Sequence, residues 1–487
     1  MTMTAIFRQT ARTTSVIVLA CIVPLAACAT APQKDETLVV EAWVTTGDKT
    51  RLLQHESGLR FGGSQSAPIH IDVDATVRYQ SMAGFGAAIT DATAWLMQNR
   101  MSASQRQALL EELFGRGEKG VGFDFTRLTV GASDFSRSHY SLDDMPKGEV
   151  DMSLAHFSID PNRADVIPVV RQALAINPKL QIMASPWSAP GWMKTNDKLK
   201  QGQLKPEMYG VFADYLIRYI DAYAKEGIPI STLTLQNEPH FEPDSYPSMR
   251  LEDRARAQIV GQHLGPKLAR RGLKTQIIEW DHNWDEPSAP MAVLSDPIAN
   301  PYVSGVAWHC YDSHTLVQVQ AGVHDAFPDK DAWHTECSGG EWKTHWPETL
   351  PWMVRNVVIG STRGWAKGVL MWNLALDENH GPHLGGCEDC RGVVTIDSHT
   401  GEVTRNLEYY ALAHASKFVR PGAQRIASTA KMGGLDTVAF RNTDDGSIVL
   451  LVCNSDATDR LFVTRFEGKS FAYPMPHESI ATFVWKP

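Results

Sequence analysis

Short apolar runs alternate with amphipathic stretches through the middle of this chain, and every run ends in polar residues. Eight stand out: GFGAAITD (84–91), FDFTRLTVG (123–131), LQIMASPW (180–187), STLTLQNEP (231–239), TQIIEWDHN (275–283), GVAWHCYD (305–312), AWHTECSGG (332–340) and GVLMWNLAL (368–376). Between them, segments such as 206–226 and 252–271 place apolar residues at helical spacing. Alternating strand and helix predicts parallel βα units, and eight of them predict a (β/α)8 barrel over 81–415. The flanks read differently. Residues 37–80 and 416–487 show short alternating strands between turns such as DDG, NSD and EGKS, the pattern of an antiparallel β-sandwich. Neither flank is long enough to close two sheets, so both chain ends are expected to build one side domain.

The first residues follow another pattern. Arg8 and Arg12 precede an uncharged apolar run, Val16 to Leu25, too short to span a bilayer as a stable anchor. The sequence Leu25-Ala26-Ala27-Cys28 resembles a bacterial lipobox, in which the Cys becomes the lipidated first residue of the mature chain. Residues 1–27 are therefore expected to be a lipoprotein-type export signal, with lipidation at Cys28 and 28–36 as a polar tether. A soluble secretory signal cut near Ala29 is the alternative. Both readings send the protein to the periplasm or cell surface, and membrane contact is expected only through that anchor.

Charge narrows the partners. The 487 residues carry 46 basic and 55 acidic side chains, a net charge of −9, and loss of Arg8 and Arg12 with the signal takes it to −11. This balance excludes a nucleic-acid binder relying on bulk charge. Seven Cys occur, at 21, 28, 310, 337, 387, 390 and 453. Export removes or commits the first two, leaving an odd number, so no disulfide framework is expected. Cys387 and Cys390, in GGCEDCRG, read as a local disulfide or two free thiols. A zinc site would need a second ligand pair at suitable spacing, and none is present.

The polar run ends carry the chemistry. In a barrel, the carboxyl ends of the strands converge on one face, which holds the active site. Those ends supply Asp91, Arg127, Trp187, Asn237, Glu238, His282, His309, Tyr311, Glu336 and Trp372. Glu238 follows the fourth strand and Glu336 the seventh, across the barrel. Two carboxylates flanking one bond are what glycoside hydrolysis requires. Arg127 is placed to hold Glu336 ionised, while Glu238 needs a setting that keeps its proton. Trp187 and Trp372 suit the flat apolar faces of sugars, whereas Trp308 and Trp333 read as core. His334-x-Glu336 with Cys387-x-x-Cys390 superficially mimics a zinc deaminase signature, but Gly386 stands where that signature has Pro. A sugar-binding lipoprotein without catalysis is the reading from another class, and the presence of both Glu238 and Glu336 argues against it.

The motifs GFGAAITDA, ASPWSAPGWMKTN, LQNEP, the Glu336 tip, WNLAL and SKFVRPGAQRI, taken in order, resemble glycoside hydrolase family 30, best known for the lysosomal glucosylceramidases. The resemblance runs from about residue 79 to the C-terminus. It implies a barrel fused to a β-sandwich and a retaining β-glucoside hydrolase with no metal and no cofactor, acting on a carbohydrate or glycolipid: glucosylceramide-type lipids or β-glucans, with an endo-β-1,6-glucanase as the alternative. Glu238 resembles the family's acid/base and Glu336 its nucleophile. Asp91, Trp187, Asn237 and Trp372 resemble the residues holding the sugar, with Asn237 on the 2-hydroxyl. Arg127, His309 and Tyr311 resemble the groups orienting Glu336. Two departures stand out: Cys310 replaces a Trp of the lysosomal members, and the Cys-containing loop after Trp372 resembles the subgroup containing β-1,6-glucanases. That loop borders the aglycone side, which puts ceramide specificity in doubt and leaves the chemistry intact.

Overall fold

A computed structural model describes residues 10–17, 38–312 and 317–487. Residues 10–17 are exposed coil; the rest of the expected signal, and Cys28 with it, lies outside the described residues. No helix among the described residues is long and apolar enough to cross a membrane.

Three strands open the folded body: β1 (Val39–Thr46), β2 (Gln54–Arg60) and β3 (Ile69–Ser81). The barrel strands follow: β4 (Gly84–Ala88), β5 (Phe125–Val130), β6 (Gln181–Pro186), β7 (Thr232–Thr234), β8 (Gln276–Asn283), β9 (Val303–His309), β10 (Asp331–Glu336) and β11 (Ala366–Asn373). They close in sequence order, and every pairing between neighbours is parallel. All eight apolar runs thus supply a barrel strand. Phe125, Met183, Ile278, Ala307, Trp333 and Leu370 fill one buried cluster contributed by six of these strands, the packed interior that closed parallel barrels require. Trp308 is fully buried in the larger core, so both Trp expected to be structural are.

The long strands after the barrel are β12 (Gln424–Ser428), β13 (Leu435–Arg441), β14 (Ile448–Asn454), β15 (Arg460–Phe466), β16 (Lys469–Met475) and β17 (Ser479–Trp485). With β1 to β3 they form the path β2-β1-β17-β14-β13-β12-β3-β15-β16. The 13-residue β3 belongs to both halves of the sandwich, antiparallel to β12 and parallel to β15. Its apolar positions, with Phe462, Phe471, Phe483 and Trp485, form a separate core.

The two cores meet through buried polar ties. His414, on the helix Leu407–Ser416, lies 2.8 Å from Thr45 Oγ1 of β1 and 2.9 Å from Thr482 Oγ1 of β17. Burial pushes this imidazole down to about 3, so it bridges the strands as a neutral group. Arg363, just before β11, donates to Ser428 Oγ at 2.8 Å, to the Ser428 and Thr429 carbonyls, and to the Thr437 carbonyl. Removing it leaves several part-buried acceptors unpaired. Arg363→Leu is expected to lower unfolding free energy by about 2–4 kcal/mol, measured by urea denaturation.

Candidate active site

The catalytic face is organised by a charge inside the barrel. Arg127 on β5 is fully buried and faces three acceptors. Nη1 donates to Glu336 Oε2, and Nη2 reaches both Asn237 Oδ1 and Asp281 Oδ2 at 2.7 Å. The planar fork of an arginine allows this; a lysine presents one point charge. Above the guanidinium lie the rings of Trp187 and Trp372, at 4.9 and 5.5 Å from Cζ. These two rings stack on each other, 5.0 Å apart and 21° from parallel. Both Trp therefore reach the site, but each spends one face on the other.

Asp281 balances that charge. Its Oδ2 also accepts from Ser185 Oγ at 2.7 Å and Thr234 Oγ1 at 2.8 Å, while Oδ1 accepts from Thr335 Oγ1 at 2.7 Å and His309 Nε2 at 3.0 Å. Burial works against its ionisation, but Arg127 and the bond from His309 hold its carboxyl far below the usual range. Asp281 was missed at the sequence level, where His282 beside it was named instead. The cause is local: Trp280 and Asp281 both have positive φ, and the β8–β9 register shifts between Trp280 and His282. The simple inward–outward alternation fails there, and Asp281 and His282 both reach the site.

The two carboxylates meet around His309. Its Nδ1 lies 3.1 Å from Glu238 Oε1 and 4.0 Å from Glu336 Oε1. Glu336, which ends β10, also accepts from Tyr311 Oη at 2.9 Å. Glu238 follows the three-residue β7 with φ of +49°, and its amide donates to the Asp281 carbonyl at 3.0 Å. Held backbone in a conformation that a glutamate rarely adopts is a feature of sites whose surroundings over-determine them. Burial opposes charge on His309, yet the carboxylates of Glu336, Asp281 and Glu238 outweigh it and hold its pKa up at about 9. The order expected from the sequence is reversed: burial and the repulsion of Glu238 raise Glu336 against the pull of His309 and Arg127, whereas the His309 bond and neighbouring positive charges outweigh burial and lower Glu238. The three groups titrate as one unit.

Glu238, Glu336, Asn237, Trp187, Trp372, Tyr311 and His282 all line one open cavity of about 470 Å³. Asp91 stands apart. It opens the helix Asp91–Asn99, with Oδ2 accepting from Ser136 Oγ at 2.7 Å and Tyr140 Oη at 2.8 Å, and the lining residue in that region is Asp134. Burial, reinforced by Glu336 and Glu238, pushes the Asp134 carboxyl up to about 8, so near neutrality it is a hydrogen-bond donor. Asp134, Tyr246 and Trp342 are wall residues that sequence reasoning did not name; they lie in loops beyond the strand tips, where no periodicity marks them.

The expectation of no disulfide framework is corrected by two bridges. Cys387–Cys390 takes the first of the two readings left open, and Cys310 pairs with Cys337 across 5.2 Å between Cα atoms. Among the described residues Cys453 is the odd one, buried and outside any disulfide. Parity hid the pairing because one core Cys is a packing residue. Cys310 and Cys337 directly follow His309 and Glu336, so one bridge ties together the ends of β9 and β10. Cys387 and Cys390 line the cavity, and Cys390–Arg391 pairs with Gly339–Gly340 just beyond Glu336.

An eight-stranded parallel barrel whose strand ends gather two carboxylates and aromatic walls around one cavity is the architecture of a glycosidase. The chain belongs to glycosyl hydrolase family 30: the family's TIM-barrel domain matches residues 82–419 and its beta sandwich domain residues 422–483. It is 35% identical over 423 residues to the endo-1,6-beta-D-glucanase of Neurospora crassa, covering 84% of this chain and 85% of that protein. To the lysosomal acid glucosylceramidase of Mus musculus it is 29% identical over 440 residues, covering 84% and 82%. Among solved structures it is similar to the endo-beta1,6-glucanase BT3312, with a TM-score of 0.85 and 33% identity, covering 92% of this chain and 99% of that one. The protein is therefore a glycoside hydrolase.

Arg127→Gln is expected to leave Asp281 and Glu336 facing each other without their shared cation. Loss of one partner from a buried ion network costs about 3–5 kcal/mol, read as a lower urea midpoint, and Arg127→Lys should recover only part of it.

Proposed function

We propose that this chain is a retaining endo-β-1,6-glucanase in which Glu238 is the acid/base and Glu336 the nucleophile. The observation that carries the reaction is the arrangement around His309: one imidazole nitrogen reaches both carboxylates, at 3.1 and 4.0 Å, which keeps them close enough to address one glycosidic bond. A retaining pair works at about 5–5.5 Å. Glu238 protonates the leaving oxygen while Glu336 attacks the anomeric carbon, giving a covalent glucosyl-enzyme. Glu238 then takes a proton from water, whose oxygen displaces Glu336 with net retention. Asn237, its carbonyl oxygen anchored by Arg127, is left with its amide N–H groups for the 2-hydroxyl, a contact that strengthens in the transition state. Trp187, Trp372 and Asp91 shape the sugar subsite, Asp91 through the Ser136 and Tyr140 loop. Tyr311 and Arg127 aim Glu336. His309 holds a proton beside Glu238 and acts as its reserve.

The glucan assignment is supported by the cavity wall and by the relatives. The Cys387–Cys390 loop forms part of that wall, and the relatives named endo-1,6-β-glucanases are the more similar of the two groups. Export is supported by the apolar run after Arg12 and by two disulfides, which persist in oxidising compartments; anchoring through Cys28 completes this reading.

Glu336→Gln should retain the fold by circular dichroism and lose turnover; retained turnover would overturn the nucleophile assignment. Glu238→Gln should lower kcat on glucan by about 10²–10⁴-fold and spare kcat/KM on aryl glucosides, whose leaving groups need no acid to form the glucosyl-enzyme, while its breakdown by water slows for both substrates. Incubation with β-1,6-glucan should release oligosaccharides. Release of ceramide from glucosylceramide with no action on the glucan would replace the substrate assignment.

The pH profile of kcat/KM should be a bell. Its acid limb reflects ionisation of Glu336, above the ordinary glutamate value, and its alkaline limb reflects loss of the proton that His309 holds beside Glu238, near pH 9. His309→Gln removes the reserve proton, so the alkaline limb should move to lower pH.

A further inference from the structure

His282 is the one imidazole at this site that hydrolysis leaves without a task. It is the penultimate residue of β8, with Nδ1 buried and without a hydrogen-bond partner, 3.6 Å from Glu238 Oε1. His309 Nδ1 approaches the same oxygen at 3.1 Å. The three donor atoms lie within 4.8 Å of one another.

That grouping has the features of a transition-metal site. Two imidazoles and one glutamate make the His₂Glu set that holds zinc with one coordination position left open. With metal–ligand bonds of about 2.0–2.1 Å, tetrahedral donors sit roughly 3.3 Å apart, close to the two distances observed. The far nitrogen of His309 already bonds Asp281 at 3.0 Å, the carboxylate–histidine support that fixes ring orientation and raises ligand basicity at metal sites. The open position would face the cavity that Glu238 and His282 line.

We propose that Glu238 Oε1, His282 Nδ1 and His309 Nδ1 form an inhibitory site for a divalent transition ion of the zinc or copper type. The ion would displace the proton that His309 holds, releasing it to solvent, and take the Glu238 lone pair that must carry the proton, so occupancy and acid catalysis exclude each other. Hard ions such as Mg²⁺ prefer oxygen ligands and bind poorly to this set. The inhibitory consequence rests on Glu238 being the acid/base; the binding itself does not.

Isothermal titration of Zn²⁺ into the full chain should show one site, and Mg²⁺ none. His282→Gln should weaken zinc binding by at least about tenfold, with unchanged circular dichroism. In parallel, Zn²⁺ should inhibit glucan hydrolysis with the same half-saturation, EDTA should restore it, and the variant, compared with its own metal-free rate, should resist inhibition by the same factor. Absence of zinc binding, or binding unchanged in His282→Gln, would overturn the site. His282-dependent binding without inhibition would uphold the site and overturn the role given to Glu238.

Discussion

The catalytic face depends on how one positive charge is kept inside a closed barrel. Arg127 has no solvent contact, and an unpaired ion in such a place would cost several kcal/mol. The surrounding strands answer with alternating charge: Asp281 and Glu336 against the guanidinium, then His309 between Asp281 and Glu238. Every link is a directional bond. The network therefore fixes the ends of β5, β7, β8, β9 and β10 relative to one another more tightly than apolar packing could. Catalysis needs that rigidity, because misplacing a reacting group by an ångström is costly.

The barrel was legible because each strand, buried on both faces, appears as a short apolar run with a polar tip. Glu238 and Glu336 were legible for the same reason: they are those tips, whereas Arg127 lies within β5 and stood out as a charge inside an apolar run. What escaped has physical causes. Asp281 was hidden by the register shift in β8, which breaks the two-residue period on which side-chain direction is judged. The strands β2 and β16 are the two edges of the sandwich sheet. The first is polar and largely exposed, and the second carries Pro474, which an edge strand tolerates and a central strand does not. The first offers no apolar alternation; the second keeps it in Phe471, Tyr473 and Met475, but Pro474 interrupts the strand signal.

The Cys310–Cys337 bridge shows what a register adds to a count. Counting left an odd Cys and no pairing. Yet β9 and β10 are parallel neighbours with Glu336 opposite His309, and the next residue on each is the Cys. Once the eight runs are read as a barrel closed in sequence order, adjacent strand ends become adjacent in space, and two Cys one step past paired residues fall within bridging distance. The information lay in topology combined with sequence.

Chemistry and substrate choice are thus carried by different parts of the molecule. The network rests on strand ends, where any change disturbs buried charges, so relatives with different substrates can share it. The outer wall rests on the segments after Glu238, Glu336 and Trp372, which contribute Phe241, Trp342 and the Cys387–Cys390 loop. Phe241 and Trp342 are about half exposed, free to meet a ligand, while the disulfide loop is pinned to the Glu336 loop through Gly339–Gly340. A Cβ at Gly340 would fall 1.9 Å from the Trp342 ring, so a larger residue there would push this half-exposed indole away. Trp342 is thereby packed against the backbone that leads directly to Glu336. This wall and Glu336, the proposed nucleophile, are joined by the four residues Cys337–Gly340, so substitutions in the wall are expected to alter turnover as well as affinity.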